Sequence, residues 1–384
     1  MHKINLMTIG GSNSVINGGY LDHFIKAINS FNIVINLNHN LAVGNTTSGF
    51  GLYQLKKHSE FLINTNVLII EYALNDEFIY SLHPWDTRHW SRLYEGIMRY
   101  AKEINPNILI FSIILSTRNG DYTHKVPPIA ACINYLSKWY DCECIDINML
   151  LTKQLGADTV RSENFYMPKD SAHYNNPDTT SLIGKASAEY LIKKLNKNKS
   201  ANFNNQTPVD PENYANCNKF LLTESVDETL VKHEVLLYEN SKFRASAIDI
   251  SNFELLIKIE NGKLLGIEYV CERETAPIYL QYNEKKFRVG TMKMGVQNET
   301  YEFLTSWLPL EFAHTTNLLS NSEKINEYKL HTNETKNEKN LQYFTPRDGV
   351  QLNDEIITPE KKFAAIGFLY SGKLLSVELK KIES

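Results

Sequence analysis

The chain has 384 residues, 42% of them hydrophobic and 22% charged, and a formal net charge of −4. That length admits two domains at roughly 100–200 residues each, and the balance is that of a folded globular protein. The small negative charge offers nothing to nucleic acid or to an anionic membrane, and no run approaches the roughly 18 apolar residues that span a bilayer.

Ile4–Ile9 reads as the first strand, too short for a signal core and without a small-residue cleavage site. Apolar runs at Ile33–Leu37, Val67–Glu71, Ile108–Leu115 and Cys144–Ile147 predict four more strands. Amphipathic stretches predict helices over Tyr20–Phe31, Tyr53–Ile63, Arg88–Ile104 and Ile129–Tyr140, with a final one at about Thr179–Leu195. Strands alternating with helices predict a parallel sheet covered on both faces, a three-layer α/β/α unit over residues 1–197. Lys193–Pro211 is rich in Lys, Asn and Pro, and a linker is expected over 198–216. From 217 to 384 short β-type runs recur with breaks such as Asn261-Gly262 and Ser371-Gly372, which predicts a mostly antiparallel β-sandwich. Asn321–Asn340, the most polar stretch, reads as an exposed loop, and Arg347-Asp348-Gly349 as a turn.

Four short blocks of the first unit fit one chemistry. They are Gly10-Gly11-Ser12, Val43-Gly44-Asn45, Asn75-Asp76 and Asp170-x-x-His173. A serine hydroxyl is a weak nucleophile that needs a base within reach and a group to hold that base. His173 is the candidate base and Asp170 its orienter. The tetrahedral intermediate of acyl transfer carries an oxyanion, for which the N–H groups of Ser12 and Gly44 and the side-chain amide of Asn75 are candidate donors. Ser12, Gly44 and Asn75 each follow a predicted strand, and ligands of such sheets sit beyond the carboxyl ends of the strands. Ser14 is the rival nucleophile. Ser12 is preferred because it follows the first strand directly, where a strand-to-helix turn exposes its oxygen.

Over about residues 3–196 this constellation resembles the SGNH superfamily, the GDSL-type esterases and lipases. The resemblance implies Ser12 as nucleophile, Gly44 and Asn75 as oxyanion residues, and Asp170 with His173 as the last block. The first block departs from the usual Gly-Asp-Ser, since Gly11 stands in its middle position.

The function expected is serine-mediated acyl transfer: an esterase removing O-acetyl groups from a carbohydrate. The alternative is a polysaccharide O-acetyltransferase with acetyl-CoA as co-substrate, and a third reading is a carbohydrate-binding protein with a dead site. No other cofactor and no metal are expected. Trp85, Arg88 and Trp90 follow the Asn block and are candidate substrate contacts: the tryptophans by stacking on a sugar, Arg88 by binding an anionic group. The competing reading makes them the start of a helix. Trp307 is expected in the sandwich core rather than as a stacking face for sugar. The five cysteines read as buried free thiols and the compartment as the cytoplasm.

Overall fold

Five strands pair in parallel to make the sheet of the first unit: β1 (His2–Gly10), β2 (Ile33–Asn40), β3 (Val67–Glu71), β4 (Leu109–Ile114) and β5 (Glu143–Asp146). Their order is β2-β1-β3-β4-β5. The computed structural model describes residues 2–80, 87–118, 128–195, 206–225, 235–240, 243–310, 313, 325–333, 341–345 and 362–382. It divides into two units, Met1–Asn216 and Cys217–Ser384.

The helices of the first unit are α1 (Tyr20–Ser30), α2 (Ser48–Lys57), α3 (Ser59–Leu62), α4 (Ala73–Tyr80), α5 (Thr87–Ile104), α6 (Pro128–Trp139), α7 (Ile147–Leu155), α8 (Ala157–Val160) and α9 (Asp178–Leu195). Every residue of β3 is buried, as a central strand covered on both faces requires. Leu6, Val67, Ile69 and Phe111 share a core with Phe24 and Ile28 of α1 and with Ile183, Ala188 and Leu191 of α9. Burying each of the larger of these side chains contributes about 1.5–3 kcal/mol.

Two local expectations are corrected. Helix α2 begins at Ser48, five positions before the predicted start, and Gly51 within it serves packing: a Cβ there would stand 2.5 Å from a ring carbon of Tyr72. The Asn75-Asp76 pair follows β3, as expected, and lies in the first turn of α4. Much of the expected linker is an integral part of the first unit. Asp210 accepts from Nε of both Arg88 and Arg92, at 2.8 and 2.9 Å. Glu95 accepts from the N–H groups of Val209 and Asp210. The Tyr214 hydroxyl meets His89, and Lys56 donates to the Ala215 carbonyl. Residues 206–216 are therefore a strap held on α5 by ion pairs and hydrogen bonds.

The second unit is built from two six-stranded sheets. One runs β13 (Phe303–Pro309), β10 (Leu264–Glu272), β16 (Ala364–Tyr370), β8 (Phe243–Asp249), β7 (Val235–Asn240), with β6 (Asn218–Leu221) also on β16. The other runs β15 (Leu341–Phe344), β12 (Lys285–Val289), β11 (Ile278–Tyr282), β14 (Ile325–His331), β9 (Phe253–Glu260), β17 (Lys373–Lys381). The pairing is antiparallel except between β12 and β15. This is the mostly antiparallel β-sandwich expected. Strand β14 corrects the loop expected over Asn321–Asn340: Asn326, Tyr328 and Leu330 alternate inward, and Asn326 is buried because its amide donates to the Gly262 carbonyl. Trp307 is a core residue, 2% exposed and laid flat over Gly266, where a Cβ would stand 2.1 Å from the indole. The Arg347-Asp348-Gly349 turn lies outside the described residues.

Candidate active site

Strand β1 ends at Gly10, and the chain turns at once into a single 3-10 turn, Ser12–Ser14. The turn is pinned on both flanks. Gly11 N–H donates to the Glu71 carbonyl at the end of β3 (3.0 Å), and the Asn40 amide donates to the Ser14 carbonyl (2.8 Å). Ser12 is half-buried on this turn.

The loop carrying His173 is folded back on itself. Met167 N–H donates to the His173 carbonyl, and the Arg118 N–H donates to the Ser171 carbonyl. Tyr166 and Tyr174 bridge and stack, with ring centroids 5.0 Å apart. The Asn13 amide reaches across from the Ser12 turn to the Ala172 carbonyl at 3.1 Å. The result brings three side chains into line. Ser12 Oγ lies 2.7 Å from His173 Nε2, and His173 Nδ1 lies 2.6 Å from Asp170 Oδ2. Burial alone raises the Asp170 carboxyl, but the N–H groups of Ala172 and His173 and the imidazole outweigh it and hold it below its ordinary range. Asp170 is thus a carboxylate, which takes the Nδ1–H and leaves Nε2 as the acceptor for the Ser12 proton.

Beside Ser12 lie the other two predicted residues. Val43 N–H donates to the Gly10 carbonyl, extending the β1–β2 pairing and bringing Gly44 alongside. A Cβ on Gly44 would lie 3.5 Å from Ser12 Cβ, an ordinary contact that would take up space beside that side chain. The Asn75 amide rests on Gly11, where a Cβ would stand 2.4 Å from its Oδ1. Its nitrogen donates to the Thr46 carbonyl at 2.9 Å. An amide NH2 carries two hydrogens, so one holds the Gly44 loop and the second remains for an oxyanion. The Gly11 departure has a steric reason, since a side chain at 11 would displace Asn75.

Other candidates are placed elsewhere. Ser14 is 2% exposed and hydrogen-bonded to Glu71 and Tyr20, inaccessible to a substrate. Trp90 is 1% exposed and donates its indole N–H to Asp76 Oδ2 at 2.7 Å, so its ring is core and not a sugar platform. Arg88 is engaged by Asp210, which fills the role assigned to an anionic substrate. Trp85 lies outside the described residues. Sequence reasoning passed over Asn13, Thr46 and Asp76, which hold the loops together. Only Asp76 carried a signal, its place beside Asn75. Burial pushes the thiols of Cys142 and Cys144 up to about 12. Among the described residues no helix is long and apolar enough to cross a membrane.

No family model matches the sequence, and no curated protein does. Among solved structures, a two-domain esterase active on acetylated mannans is similar over 97% of this chain and 93% of its own, with 14% identity and a TM-score of 0.62. Its structure with mannopentaose gives 97% and 92% coverage, 14% identity and a TM-score of 0.57. A Clostridium thermocellum family 3 carbohydrate esterase covers 51% of this chain with 98% of its own, at 13% identity and a TM-score of 0.38. The likeness to the two-domain esterase is one of fold and runs almost the length of the chain.

Proposed function

We propose that this protein is a serine-dependent esterase that removes O-acetyl groups from a carbohydrate. The observation that carries the proposal is the unbroken line from Ser12 Oγ through His173 to Asp170, at 2.7 and 2.6 Å. In the first step His173 Nε2 takes the Ser12 proton while Oγ bonds to the acetyl carbonyl carbon. The carbonyl π-electrons move to oxygen, where the N–H groups of Ser12 and Gly44 and the second Asn75 N–H are the donors. The intermediate collapses, the C–O bond to the sugar breaks, and the imidazolium gives its proton to the leaving sugar oxygen. Water then attacks the acetyl-Ser12 ester with His173 again as base, releasing acetate. Asp170 keeps the imidazole in the accepting tautomer and stabilises the imidazolium.

The sugar-acetyl substrate class is supported by the likeness to an esterase described as active on acetylated mannans. The experiment is acetate release from acetylated oligosaccharides, with a parallel arm offering acetyl-CoA and an unacetylated acceptor. Acetate freed into water, with acetyl-CoA untouched, is expected. Acetyl-CoA consumed and acetyl found on the sugar would replace hydrolysis with transfer. A Ser12→Ala enzyme still releasing acetate would end the serine mechanism.

A further inference from the structure

We propose that Glu71 is a positioning residue for the reaction: it holds both flanks of the turn that presents Ser12, one through its backbone and the other through its carboxyl. This role rests on the reading of Ser12 as nucleophile. The carbonyl of Glu71 accepts from Gly11 N–H at 3.0 Å, just before Ser12. Its Oε2 accepts from the Ser14 hydroxyl at 2.9 Å, two residues after Ser12. Ser14 Oγ in turn lies 2.8 Å from the Tyr20 hydroxyl of α1. Space for this contact comes from Gly10, where a Cβ would stand 2.6 Å from Ser14 Oγ and 2.9 Å from the Glu71 carbonyl. The height of the nucleophile above the sheet is thus set by one residue at the end of β3.

The carboxyl is fully buried, and its Oε1 has no hydrogen-bond partner among the described residues. The titratable groups facing it are Tyr20 from α1, Tyr72 beyond β3 and Asp76 from α4, none of them cationic. Burial, opposed in part by the bonds from Ser14 and Gly11 and reinforced by Asp76, pushes Glu71 up from 4.5 to about 8. The latch is a neutral carboxylic acid at neutral pH, and ionisation puts an uncompensated charge under the turn. The native state keeps a proton that the unfolded chain releases. The wild type therefore loses stability as pH rises from about 4.5 to about 8.

The test compares wild type, Glu71→Gln, Glu71→Ala and Ser14→Ala on nitrophenyl acetate from about pH 6 to about pH 10, with melting temperature at each pH and Ser12→Ala alongside. Wild-type kcat should fall as pH passes about 8, while Glu71→Gln holds its kcat and its melting temperature across that range. Glu71→Ala should lose about 10²-fold in kcat with KM little changed, the scale expected of a displaced nucleophile. Ser14→Ala should move the wild-type fall to higher pH, because the lost bond favoured the ionised acid. A Glu71→Gln enzyme with the same alkaline fall, or a folded Glu71→Ala enzyme with wild-type kcat, overturns the role. If the Glu71 variants do not fold, an unmoved alkaline fall in Ser14→Ala overturns it. Turnover by Ser12→Ala removes the nucleophile reading and the positioning role with it, an outcome no Glu71 variant can imitate.

Discussion

Ser12 and Ser14 stand two positions apart on one turn and meet opposite environments. Ser12 faces His173 and Ser14 faces a buried acid. Ser12→Ala should cut acetate release by at least about 10³-fold with an unchanged melting temperature, because the hydroxyl contributes to chemistry and little to packing. Asn75→Ala should cost about 10²–10³ in kcat. Part of that loss belongs to the Thr46 carbonyl it releases, so Gly44→Ala is the cleaner probe. The methyl makes no clash with the protein and sits where substrate must come, so kcat/KM should fall while calorimetry shows native stability. The residues brought together around Ser12 are legible because each follows an apolar run or stands in a spaced pair. The residues that hold them were not. Nothing in the order of residues marks Asn13 as the donor to a carbonyl 159 positions away.

At the level of elements, sequence reading failed where polar residues are buried. Asn75-Asp76 looks like a turn, yet Asp76 is fully buried in α4, accepting from Ser48 N–H at 3.0 Å and from Trp90. This one carboxyl ties the start of α2 to α5, and burial pushes it up to about 7. Trp90 was read as a substrate contact because a Trp after a site block and a Trp on the buried stripe of α5 look alike in sequence. Trp90→Phe keeps an aromatic ring, removes the donor and gives up part of the indole's buried volume. It should destabilise the protein by about 1–3 kcal/mol in denaturant melts and leave KM on nitrophenyl acetate near the wild-type value. A raised KM with no loss of stability would return Trp90 to the substrate. Strand β14 was missed for a similar reason: its alternation includes Asn326, whose inward amide is satisfied by Gly262.

Across the whole chain the expected linker is the largest departure, because low apolar content there does not mean absence of packing. Its polar groups are the packing, since Asp210 and Glu212 pair with Arg92, whose side chain is 4% exposed. The first unit therefore needs the strap. A fragment of residues 1–216 should hydrolyse nitrophenyl acetate, whereas 1–197 should melt earlier or aggregate, as circular dichroism and gel filtration would show. Equal melting of the two fragments would make the strap dispensable. Burial opposes ionisation of Asp210, but its bonds to Arg88 and Arg92 prevail and bring it down to about 2. Its contribution, about 2 kcal/mol, is complete above about pH 3.8 and fades as pH falls toward 2. Asp210→Ala should flatten that part of an acid-unfolding curve. The distance along the chain between Ser12 and His173, 161 positions, also has a kinetic meaning. Contacts of such separation form late and slowly, after the parallel sheet between them has been threaded. Hydrolysis should then be the last signal to return on refolding, lagging the recovery of helix. During synthesis the Ser12 turn would be made long before its partner, and the pair could close only once the chain through His173 had followed.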